Sequence, residues 1–144
     1  MKRFAFAALG LMLAACATTS PGTKPADVAP AGPLDFGGDW RHDPTAAVIA
    51  HFEQSVSGRY AAGSSLASIA ADLHSNQFTC VANHDTSARG DPPAQICRRT
   101  VTEAGCTYTW QVHLFDTHGD AHLARSRELY DKRCGNDALL GGPS

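Results

Sequence analysis

Much of what could give this 144-residue chain an activity is missing. Its five cysteines contain no Cys-x-x-Cys pair, and zinc sites are usually built from closely spaced ligand pairs, so no cysteine-held metal is expected. No serine sits in a Gly-x-Ser-x-Gly elbow, and no carboxylate pair is placed beside a histidine, which removes the usual set for hydrolysis. No glycine loop of the phosphate-cradling kind occurs either. The expectation is a non-catalytic protein without a cofactor. Positive charge is also short: twelve Lys and Arg stand against fourteen Asp and Glu, which argues against general nucleic-acid binding. The longest apolar run, Phe4 to Leu13, is about half the roughly 20 residues a spanning helix needs.

That short run is the first thing the chain does have. Met1, Lys2 and Arg3 precede it, giving the layout of a secretory signal peptide over residues 1–15. Leu13-Ala14-Ala15-Cys16 closes it and resembles the lipobox of bacterial lipoproteins. The resemblance implies that the Cys16 thiol receives a diacylglycerol, that the peptide is cut before it, and that the new amine takes a further acyl chain such as palmitate. Several chains at about 0.8 kcal/mol per buried methylene hold a protein permanently, where one would be marginal. Ala17 is not the aspartate that marks inner-membrane retention in enteric bacteria, so the implied address is the periplasmic side of the outer membrane. Loss of Lys2 and Arg3 would leave ten basic and fourteen acidic residues, a net charge of −4. Residues 16–33 are rich in Pro, Ala, Thr and Gly with nothing to bury, and read as a tether reaching roughly 50 Å if polyproline-like or about 25 Å if coiled.

Residues 34–144 suit one small domain. Asp43-Pro44 is a good N-cap and first-turn pair, followed by Val48, Ile49, Phe52 and Val56 at one-face helical spacing, with Gly58 as a stop. Gly63-Ser64-Ser65 announces a second helix carrying Leu66, Ile69 and Leu73, and Asn76 is suited to end it. The period then changes to two. Residues 78–81 and 95–101 are strand candidates, and 108–115 is the clearest, with Tyr108, Trp110, Val112 and Leu114 on one face. A turn at His118-Gly119-Asp120 precedes residues 121–130, which pass for a strand or a helix. The predicted class is α+β: two helices packed on a three- to four-stranded antiparallel meander. Cys80, Cys97, Cys106 and Cys134 form an even set in an oxidising compartment. Three pairings are possible, and the strand plan favours 80 with 97 and 106 with 134, stapling the domain.

Within the second predicted helix, Gly63, Ser65, Ile69 and Leu73 repeat a pattern similar to the BamE-like group, the small lipoprotein subunit of the outer-membrane β-barrel assembly machinery. That group packs two helices on a three-stranded antiparallel sheet, and a strand with a buried aromatic resembles the Trp110 strand. The resemblance implies an accessory or assembly role through protein–protein contacts. His74 stands where the group has glycine.

Two side-chain clusters bear on function. His113, His118 and His122 surround one predicted turn, and a hairpin turning at His118-Gly119 would make His113 and His122 diagonal neighbours; solvated polar-face histidines explain the same positions. Arg98, Arg125 and Arg127 lie on predicted strands, and a simple meander sets Arg98 and Arg127 beside Trp110 for guanidinium stacking. Such a group either stabilises locally or forms a patch for an anionic partner. Three functions remain open: an anchored accessory protein with an envelope protein as partner, a small-ligand, lipid or metal binder, and an inhibitor of a periplasmic hydrolase presenting loop 83–93.

Overall fold

A computed structural model describes residues 32–84 and 90–135. Helix α1 spans Thr45–Arg59 and buries Val48, Phe52 and Val56, one residue per turn, as the spacing predicts. Its ends differ from expectation. Pro44 occupies the cap position with no side-chain cap bond, and Gly58 lies inside the last turn, the helix running on to Arg59. Helix α2, Leu66–Ser75, is capped by the Ser65 hydroxyl, which accepts from the Ser68 amide, and buries Leu66, Ile69 and Leu73. Asn76 is its C-cap but keeps a negative φ; the left-handed residue that turns the chain is Gln77, at φ 69°.

The sheet is a four-stranded antiparallel meander of β1 (Thr79–Ala82), β2 (Gln95–Glu103), β3 (Cys106–Phe115) and β4 (Arg125–Cys134), in that order. Residues 125–134 are thus strand, alternating Glu128 and Tyr130 inward, and not helix. β2 and β3 are joined by Ala104-Gly105, both at positive φ, the two-residue hairpin turn whose twist matches the strands. The β3–β4 connection is longer. Asp116 organises it by accepting backbone N–H groups of His118, Gly119, Asp120 and Ala121; desolvation, the largest single effect, raises its carboxyl pKa, and the four bonds together outweigh it and hold the carboxyl below the usual range. A bridge between Ser65 and His122 ties this loop to the start of α2.

Both disulfides pair cysteines directly opposite one another across neighbouring strands, Cys80 with Cys97 and Cys106 with Cys134. They sit on the same side of the sheet as Trp110, Val112 and Leu114, which all but vanish from solvent against the helices. Residues 32–43 close that side as a strap. Phe36 and Trp40 insert into an aromatic cluster with Phe52, Phe78, Tyr108 and Trp110. Side chains pin the strap's carbonyls: the Trp110 indole donates to Phe36, the Tyr130 hydroxyl to Trp40 and the Lys132 ammonium to Arg41. Gly37 is required there, because its φ is +99° and a Cβ would lie 2.8 Å from the Val48 carbonyl oxygen.

Candidate functional site

Among the described residues no helix lies on the opposite side of the sheet. Alternation along the strands puts two rows of residues across it: Val81, Ile96, His113 and Arg127, and beside them Thr79, Arg98, Gln111 and Leu129. Among the described residues Val81 is the large apolar side chain most open to water, at 57% exposure, and Ile96 and Leu129 are half-buried. Gln111 stands at the centre. Its side-chain oxygen lies 3.4 Å from an Arg98 nitrogen and 3.3 Å from His113 Nε2. Partial burial first, then Arg127 and Arg98, lower the His113 pKa, so the imidazole is neutral between two fixed cations. Among the described residues neither Arg98 nor Arg127 forms an ion pair, in contrast to the exposed pairs Arg41–Glu103, Arg125–Asp91 and Arg133–Asp131. Two strand spacings, about 10 Å, separate β2 from β4.

This arrangement corrects the expected neighbours of Trp110. In the observed register Trp110 is flanked by Arg99 and Tyr130, while Arg98 opposes Gln111 and Arg127 opposes His113. Trp110 is 1% exposed and faces the helices, so it takes no part in a patch with Arg98, Arg125 and Arg127. The cation over the aromatics is Arg99, 4.0 Å from the Phe36 ring centre and 5.9 Å from that of Trp110. Arg125 lies on the open side but is committed elsewhere, stacked 3.5 Å over Phe115 and paired with Asp91.

The histidine cluster is also dispersed. His113 faces Arg127 in the sheet, whereas His122 sits in the loop with its ring on the Asp120 carbonyl, and His118 is exposed. Among the described residues no group of three or more His, Cys, Asp or Glu is placed to hold a metal. The signal segment 1–15 and Cys16 lie outside the described residues, as do 85–89 of the candidate inhibitory loop. No described helix is long and apolar enough to cross a membrane.

Two groupings escaped the sequence reading. Asp72 on α2 accepts from Arg59 Nε and Nη2, at 2.6 and 2.8 Å, and from the Tyr60 hydroxyl at 2.5 Å. These bonds lower its pKa, led by Arg59, and the largely buried group locks the end of α1 to α2. The second is Glu128, 8% exposed, on the helix-facing side of β4 at the floor of a cleft of about 610 Å³ beside the last turns of α1. Its Oε1 has no hydrogen-bond partner. Burial raises its pKa; Ser126 opposes that and Glu53 adds to it. Neither grouping resembles a nucleophile–base pair.

No protein family, curated protein or solved structure matches the chain.

Proposed function

We propose that this is a non-catalytic lipoprotein of the bacterial envelope, anchored through Cys16, whose domain docks an acidic protein surface on the open side of its sheet as an accessory or assembly factor. One observation carries the reading: Arg98 and Arg127 stand on a sheet face that no described helix covers, without acidic partners among the described residues, interleaved with Val81, Ile96 and Leu129. Apolar side chains supply burial on docking, and two cations about 10 Å apart select a partner of opposite sign. A lipid or nucleic-acid surface would call for a broader basic field than a chain with more acids than bases provides. The lipobox and the BamE-like pattern of Gly63, Ser65, Ile69 and Leu73 favour the outer membrane as the place where this happens.

Two measurements test it. Radiolabelled palmitate is expected to label the chain made in its native host, and a Cys16→Ala chain is expected to lose both the label and its place in the membrane fraction. Co-purification from solubilised envelopes should then recover a partner that an Arg98→Glu/Arg127→Glu chain fails to hold and that a matched acid-to-base change in the partner restores. An unlabelled chain overturns the anchor. A partner indifferent to the charge reversal overturns the docking face.

A further inference from the structure

The cleft over Glu128 lies on the other side of the sheet from the arginine patch, and nothing in the docking reading uses it. Four of its polar side chains present acceptors to it: Glu128, Glu53, Ser57 and Tyr60. Glu128 Oε1 is buried without a partner, and Glu53 projects a second carboxylate from α1. The Ser57 hydroxyl spends its proton on the Gln54 carbonyl, 3.3 Å away, leaving its oxygen lone pairs, and Tyr60 donates its own to Asp72. No lysine lines the cleft, and the two arginines that do, Arg125 and Arg127, occupy β4 positions that alternate to the opposite side, Arg125 on Phe115 and Asp91 and Arg127 against His113. The charge that bears on Glu128 is a second acid, Glu53. Ser126 supplies the one hydroxyl that favours its ionised form.

A carboxylate more than nine-tenths buried, with one oxygen unpartnered and a second acid beside it, costs free energy until a further donor arrives. The cleft's walls are short, built from Ala61, Ala62 and Ala124, so they admit a slender group, and about 610 Å³ is within the range of small-molecule sites. We infer that this cleft is a binding site for a primary ammonium group on an unbranched alkyl stem, the three N–H donors being taken by Glu128 Oε1, the Glu53 carboxylate and the Ser57 oxygen. A hydrated divalent ion is a poorer fit, since no third carboxylate, histidine or thiolate joins the two glutamates and among the described residues no metal-holding group is found. The stem can belong to a free diamine or to a lysine side chain of a protein; the ammonium chemistry is common to both.

The test uses the full lipidated chain in detergent, isotopically labelled, titrated with 1,5-diaminopentane, with Nα-acetyl-lysine methylamide, with 1-pentanol and with calcium chloride while amide NMR signals are followed. Saturable shifts confined to the amides around Ser57, Ala61 and Ser126 are expected with either amine and absent with the alcohol. A preference for the diamine assigns the site to free amines, and a preference for the lysine amide assigns it to protein lysines. Glu128→Gln, nearly isosteric, should weaken binding by about tenfold or more, as expected for loss of a charge-assisted hydrogen bond, and Glu53→Gln by less. Arg98→Glu should leave it unchanged. Binding of the alcohol as tight as of the amines, response to calcium alone, or amine binding that survives Glu128→Gln with an intact fold would overturn the assignment.

Discussion

The two sides of this one sheet handle charge in opposite ways. On the helix-facing side Arg99 lies on the Phe36 ring, Lys132 donates to the Arg41 carbonyl, Glu103 pairs with Arg41, and Glu128 is buried beside a cleft with one oxygen unpartnered. On the open side Arg98 and Arg127 are held apart by Gln111 and His113 and meet no acid among the described residues. The same alternation along β2, β3 and β4 produces both patterns, since neighbouring residues on a strand face opposite ways. On the proposed reading, folding stability and protein docking fall to different sides. Changes among the core residues of one should move unfolding, and changes on the other should move docking.

The largest effect that can break this division comes from adjacent residues of β3. Trp110→Ala should cost about 3–5 kcal/mol in urea unfolding, because it empties the centre of the aromatic cluster. Thr109→Ala, one residue away on the open side, should stay within about 0.5 kcal/mol. Comparable losses at both positions would dissolve the distinction. Next come the bridges, both on the helix-facing side: replacing Cys80 and Cys97 by serine should cost about 3 kcal/mol and Cys106 and Cys134 about 3.5 kcal/mol, following the 17- and 28-residue separations they span. Thermal unfolding of the paired variants measures this.

A smaller effect sharpens the contrast through pH. With its folded-state pKa raised, Glu128 keeps its proton above the pH at which the unfolded chain releases it. Its contribution to stability is therefore full below the ordinary carboxylate value and declines as pH rises through the raised one, with Glu53 on α1 acting in the same sense. Glu128→Gln should melt above the parent at neutral pH, and the gap should close as the solution is acidified toward the ordinary value. A gap that widens on acidification would mean that Glu128 has a counter-charge. The smallest effect on stability is expected for Arg98→Glu/Arg127→Glu, within about 0.5 kcal/mol by urea unfolding, alongside complete loss of partner capture.

Periodicity carried much of the fold. Val48, Phe52 and Val56 mark one helix, Leu66, Ile69 and Leu73 the other, and Tyr108 to Leu114 the central strand, because burial on one face imposes its repeat on the residues. The cysteine pairing was legible for a related reason, each pair being carried to facing positions by consecutive strands. Register was not. The Ala104-Gly105 turn and the nine-residue connection built on Asp116 set it, and a shift of one residue moves Arg98 from the Trp110 side to the other. The sheet also has four strands where the BamE-like resemblance implied three. Glu128 and the Arg59–Tyr60–Asp72 group were illegible because their meaning lies in tertiary contact: in sequence they are an acid in a charged strand and an aspartate on a helix surface. Of the open-side patch, the arginines were visible as a cluster, while Gln111, His113 and the apolar residues between them needed the register to be placed.

The most direct test of the division is a photo-crosslinker placed in turn at Gln111, on the open side, and at Gln54, on the exposed side of α1, in the full chain within intact cells of its native host. A discrete adduct with an acidic envelope protein is expected from position 111, disappearing when Arg98 and Arg127 are reversed in charge, and no adduct with that protein from position 54. Equal adducts from both positions, or an adduct from position 111 that ignores the charge reversal, would contradict it.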